Sequence, residues 1–270
     1  MTTSPGRTGT GANSALYDRV RRMAQLPDVR AAVEANHDEN RWWPTSILDP
    51  RMRMLAAGWS TRVSYSMVAT YAEVITAADR TGFEKLLDAD DQTVTDLVRP
   101  IGLPAARLAY LRSLGVFLDR LAVQGVDPLT ADPTALIGRF AGDVRQASFK
   151  VAQCAILYAR GYHCGIIPVD SGMVTKLAPL LGLSLPTGAI AHERMRLALE
   201  ADVAAHRDAY QGLPAEFGYA VTIPQAAAPT WWTHLVLIYF KRLYLNRPGP
   251  RLCPRRPGCA TLVDCPHTEP

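Results

Sequence analysis

The chain is expected to fold as an all-α protein, on three observations. Apolar residues recur at three- and four-residue spacing over residues 60–78, 103–123, 190–205 and 231–245, the period at which a helix turns one face to a core. No stretch sustains the alternation that a half-buried strand needs, and no internal repeat stands out. Proline and glycine punctuate the joints, as at Pro100, Gly102, Gly125, Pro128, Gly182 and Pro186, where they end one helix and allow the next.

The elements follow in order. Residues 1–14 are rich in Gly, Thr and Ser without an apolar signal core and read as a disordered leader. Asp132-Pro133 fits an N-cap followed by proline at the first helical position, opening a helix to about Phe140. Ala155-Ile156-Leu157-Tyr158-Ala159 suits a buried helix that begins near Lys150. Gly161 and Gly165 bracket a turn, and Ile166-Ile167-Pro168-Val169 then delivers Asp170 to the start of the next helix. A carboxylate there lies near the positive end of a helix dipole and stays ionised.

Bulk properties narrow the function classes. The 270 residues carry enough apolar content for one large domain or two small ones,. No apolar run reaches the length of a membrane span, so a cytoplasmic, non-membrane protein and a monomer are expected. The net charge of +4 permits nucleic-acid binding without demanding it. Its distribution is more pointed: Lys241, Arg242, Arg247, Arg251, Arg255 and Arg256 fall within sixteen residues that hold no acid. That stretch reads either as a phosphate-binding patch or as a solvated tail.

Four segments, in order, carry a resemblance. They are Leu55-Ala56-Ala57-Gly58-Trp59-Ser60-Thr61-Arg62-Val63-Ser64; Ile101-Gly102-Leu103 with Ala106-Arg107; Lys150-Val151-Ala152-Gln153-Cys154 with Pro168-Val169-Asp170; and Leu252-Cys253-Pro254 running to Cys259. Together they resemble the helix–hairpin–helix DNA glycosylase superfamily, which includes endonuclease III, the adenine glycosylases and the 8-oxoguanine glycosylases. The Lys-Val-Ala-x-Cys wording is most similar to the 8-oxoguanine branch. The resemblance spans about residues 45–266 and implies a two-lobed helical fold with the active site in the cleft between lobes. Residues 50–181 would form a six-helix barrel-like lobe with a divergent hairpin. Residues 15–49 plus 182–252 would form a discontinuous second lobe, and 253–270 a cysteine-containing loop.

The implied activity is base excision from DNA holding a damaged base or an abasic site. Breaking an N-glycosidic bond builds positive charge on the sugar, and Asp170 is the carboxylate placed to stabilise it; the same residue also reads as a simple helix cap. Lys150 is the candidate nucleophile for a Schiff base and AP-lyase step, or else a surface lysine. Gly142, Arg145 and Ser148 are the candidate phosphate contacts in the hairpin, where the family's Leu-Pro-Gly-Val-Gly loop is replaced and the connection reads as several residues longer. Trp59 stands where the endonuclease III branch has a gap-filling glutamine and could line the pocket, or pack in the core. Tyr158 and His163 are further pocket candidates. The family's iron–sulfur loop has four cysteines, whereas this chain has Cys253, Cys259 and Cys265. His267 would complete a zinc or unusual cluster site, or the loop holds no metal. Two alternatives stand beside the excision reading. One is a glycosylase-fold descendant acting on a nucleoside or small biosynthetic intermediate; the other is a non-catalytic DNA-binding relative.

Overall fold

The computed structural model describes residues 14–38, 42 and 46–246. Among these there is no strand, and the helices are α1 Ala15–Ala24, α2 Pro27–Glu34, α3 Pro50–Trp59, α4 Val68–Thr81, α5 Phe83–Asp88, α6 Asp91–Val98, α7 Pro104–Val123, α8 Pro133–Asp143, α9 Phe149–Arg160, α10 Ala178–Leu180, α11 Ile190–Ala205, α12 Arg207–Glu216 and α13 Thr230–Phe240. Local chemistry sets many of the starts. Ser14, Asp49, Asp90, Asp132 and Ser148 each accept a hydrogen bond from a first-turn N–H, satisfying donors that have no intrahelical partner. Proline opens α2, α3, α7 and α8, where its missing N–H costs nothing.

Packing brings the two ends of the described chain together. Helices α1 and α2 lie against α13, while α3 lies across α9, with α7 against α3 and α8 against α9. Helix α13 is apolar almost all round, with Trp231, Trp232, Leu235, Val236, Leu237 and Phe240 buried, as befits a helix enclosed on every side. The approach of α3 to α7 requires a glycine: a Cβ on Gly58 would fall 2.2 Å from the ring of buried Tyr110.

Two corrections to the sequence expectations arise here. The hairpin is not lengthened: α8 continues through Asp143, which pairs with Arg120 at 3.0 Å, and the connection to α9 is only 144–148. It therefore has the length of the five-residue loop it replaces. Gly142 lies inside the exposed last turn of α8 and does not supply the loop's conformational freedom. Gln146, third in the loop, has φ 65° and holds the left-handed place that a glycine fills most cheaply. Trp59 is the second correction. It is fully buried and its indole N–H donates to the Arg107 carbonyl at 3.1 Å, so it packs in the core and does not line the cavity described below.

Arg107 explains why that corner is rigid. Its buried guanidinium donates to the carbonyls of Gly102 (2.7 Å), Ile101 (2.9 Å), Thr61 (3.3 Å) and Trp59. One cation thus gathers the loose carbonyls at the end of α3 and the start of α7, fixing the turn Ser60–Val63 beside the cavity described next.

Candidate active site

Two of the helical segments have π rather than α geometry, Met173–Leu177 and Lys241–Leu245, and they pack against each other. Such register shifts are rare and frequently occur at functional sites. Asp170 caps the turn that leads into the first, and Lys241 begins the second.

Asp170 is held at both oxygens. Oδ1 accepts from the Met173 N–H at 2.7 Å, so the residue is a genuine helix cap, and Oδ2 pairs with Lys241 Nζ. Burial by itself would raise the Asp170 pKa. The Lys241 charge and hydrogen bond, with the Met173 amide, outweigh it and hold the carboxyl below its ordinary range. The two ends of the pair respond differently. Lys241 is almost fully enclosed, and for it the loss of solvation exceeds what Asp170 returns, so its pKa also falls,. The lysine bears the cost of keeping the carboxylate ionised. Gly172 makes room for it: a Cβ there would lie 3.0 Å from Lys241 Nζ and 3.2 Å from its Cδ.

A buried polar network sets the height of Asp170. Ile166–Val169 is an extended segment whose N–H groups find side chains instead of a sheet. The Val169 N–H donates to Gln153 Oε1 at 2.8 Å and the Ile167 N–H to Glu200 Oε1 at 2.9 Å. Gln153 donates in turn to Glu193 at 3.0 Å. Arg196, with no exposed surface, bridges Glu193 and Glu200 and reaches Thr134 at 3.0 Å. Helices α9 and α11 therefore grip the segment from two sides, and Asp170 follows from it.

Asp170 opens onto a cavity of about 420 Å³ whose lining includes Trp42, Thr61, Arg62, Ser148, Lys150, Cys154, Tyr158, Trp231, His234 and Arg242. Lys150 is half-buried one turn before Cys154 and reaches its thiol, whose pKa is raised by burial against the lysine's opposing charge. His234 stacks on Trp231 (5.3 Å, 21°), which stacks on Tyr162 (4.3 Å, 14°). Burial lowers the His234 pKa to about 3 despite the opposing pull of Asp170, with Arg242, Lys241 and Lys150 pushing it the same way as burial. The imidazole is thus neutral at physiological pH.

Of the residues singled out from sequence, Lys150, Asp170, Ser148 and Tyr158 meet on this cavity. Arg145 lies on a separate groove along α7, with its N–H donating to Ser113 at 2.9 Å. His163 is exposed, its ring 6.2 Å from that of His37, and is not part of the lining. Cys253, Cys259, Cys265 and His267 lie outside the described residues. Among the described residues no cluster of three or more His, Cys, Asp or Glu side chains could hold a metal, and Cys154 and Cys164 are free thiols. Also among them, no helix is long and apolar enough to cross a membrane. Lys241, His234 and Arg242 as parts of the site, and the Gln153–Glu193–Arg196 network, were not anticipated.

Removing Lys241 tests the electrostatic account. In Lys241→Met, Asp170 keeps its burial but loses its counter-charge, so its pKa is expected to move above the ordinary value of about 3.9. In the wild type the lowered pKa gives a stabilising contribution present above that ordinary value and lost as pH falls through the folded one. In the variant the sign reverses, and the contribution is lost as pH rises. A ¹³C NMR titration of the Asp170 carboxyl reads the shift directly, and an unmoved titration would refute the account. Gly172→Ala, which crowds Lys241, is expected to move it the same way by less.

The fold is that of a helical DNA glycosylase. The chain is similar in structure to the H. pylori 3-methyladenine DNA glycosylase bound to 1,N6-ethenoadenine, with a TM-score of 0.57 over 84% of this chain and 97% of that one, at 15% identity. No family model matches the sequence, and no curated protein matches it.

Proposed function

We propose that the protein is a DNA base-excision glycosylase with an associated AP-lyase activity. The observation that carries this is the meeting of an ionised, doubly held Asp170 and a half-buried Lys150 on one aromatic-walled cavity. The cavity falls within the size range of small-ligand pockets, roughly 300–1,000 Å³, and suits a base turned out of a duplex. Asp170 stabilises the cationic sugar as the glycosidic bond lengthens. Lys150 then attacks the sugar C1′ as its free amine, giving a Schiff base from which the 3′ phosphate is eliminated. Lys241 is not the nucleophile in this reading, because its amine is committed to Asp170. The loop 144–148, with Ser148 capping α9 and Gln146 in the left-handed place, presents a helix N-terminus of the kind that binds a phosphate. The lobes implied by the resemblance, 50–181 against 15–49 plus 182–252, would close on the duplex from either side of this cavity.

The test is incubation with an abasic-site duplex and borohydride, beside Lys150→Ala. A covalent adduct in the wild type that disappears in the variant is the expected result. No adduct, together with no duplex binding at low salt, would overturn the reading and point instead to a substrate other than DNA.

A further inference from the structure

Resting on that glycosylase reading, we infer that the cavity selects uncharged bases and rejects N-alkylated purines that carry a positive charge, with Arg242 setting the preference. The argument begins with the charges. Among the described residues the lining sets the guanidiniums of Arg62 and Arg242 against one carboxylate, Asp170, whose Oδ2 is paired with Lys241. Arg62 is exposed at the mouth and is free to meet a DNA phosphate. Lys150 and Arg242 are half-buried in the walls, with the Arg242 guanidinium 5.3 Å over the Tyr239 ring. Among the described residues no second acid lines the cavity to receive a cation. His192 and His234 are the other titratable groups on the wall apart from Cys154 and Tyr158, and the buried neutral ring of His234 adds no negative charge. A base that arrives charged is therefore repelled by the half-buried Arg242 guanidinium, since like charges interact more strongly away from bulk water,.

The bond-breaking step points the same way. When C1′–N cleaves heterolytically, the electron pair leaves with the base nitrogen. Water or the lysine amine adds to C1′, and the proton released by that addition ends on the departing base. An uncharged base carries developing negative charge until it is protonated, so Arg242 stabilises its transition state more than its ground state. A cationic alkylpurine departs as a neutral molecule and gains nothing from it.

The experiment is single-turnover base release from duplexes carrying uncharged lesions (hypoxanthine, 8-oxoguanine, 1,N6-ethenoadenine) or cationic ones (7-methylguanine, 3-methyladenine). Each rate is divided by its spontaneous rate. At least one uncharged lesion is expected to exceed both cationic ones by tenfold or more, about 1.4 kcal/mol. Arg242→Glu is expected to shrink that ratio by about tenfold, and Arg242→Lys to preserve it. Faster release of the cationic lesions, or an unchanged ratio in Arg242→Glu, overturns the inference while leaving the glycosylase reading intact. Release of no lesion, with no abasic adduct, overturns both.

Discussion

Asp170→Asn is expected to lower base release on the order of 10³-fold while leaving duplex binding nearly unchanged. The substitution is close to isosteric, so the amide oxygen can still accept from the Met173 N–H and cap the helix that begins at Ser171. What it removes, on the proposed glycosylase reading, is the charge that stabilises the sugar cation. Because that charge matters only as the cation develops, the loss belongs in the rate of the chemical step and not in affinity. A second consequence is structural. Lys241, 3% exposed, loses its counter-ion, and removing one partner of a fully buried pair costs about 3–5 kcal/mol. Asp170 is a third exposed, so water moderates the penalty to roughly 1–3 kcal/mol. Thermal melting and single-turnover kinetics on the same preparation separate the two effects. A variant that melts earlier yet releases base at the wild-type rate would leave Asp170 as a cap and nothing more. The helix-cap and catalytic readings are thus one geometry, since the cap fixes one oxygen and leaves the other for charge.

The helices were legible because burial follows period. The spacing over 103–123 and 190–205 matches α7 and α11 within a residue, and Asp132-Pro133 opens α8 as a cap and first-turn proline should. On the residues alone Lys150 and Asp170 read equally as a surface lysine and a helix cap; they were singled out through the resemblance carried by Lys150–Cys154 and Pro168–Asp170. The residues that hold them were not. Arg196, Glu193 and Glu200 have the spacing of an ordinary solvated helix face, and only the fold turns that face inward. Gln153 did leave a trace, since it interrupts a stretch in which every residue from Val151 to Ala159 is buried. Lys241 left another, as the first charge after a helix with none. The π segments left no trace, because a register shift of one residue comes from tertiary packing and not from propensity. Trp59 stayed open between pocket and core for a related reason: a large aromatic on an amphipathic helix looks the same whether its neighbour is ligand or core.

Arg196→Met carries the largest expected effect on stability. It leaves Glu193 and Glu200 enclosed together without their shared cation, at a cost of about 3–5 kcal/mol. The pH dependence has a definite sign. Burial already raises the Glu200 pKa in the wild type, against the pull of Arg196, so its contribution to stability is fully present below the unfolded value and lost as pH rises. Without the arginine the Glu200 carboxyl is pushed further up, and the variant is expected to recover stability on acidification from about pH 7 to about pH 5. Denaturant melts at the two values check this, and a deficit independent of pH would mean that lost packing, not unpaired charge, dominates. Function should fall with it, because Ile167 hangs from Glu200 and Val169 from the Gln153 that Glu193 orients. The triple variant Arg196→Met, Glu193→Gln, Glu200→Gln separates the two roles. It removes the charges and keeps acceptors for Ile167 and a partner for Gln153, so stability should return toward the wild type. If base release returns with it, the network acts on Asp170 through hydrogen-bond position. If stability returns alone, the charges themselves are part of the field that Asp170 works in.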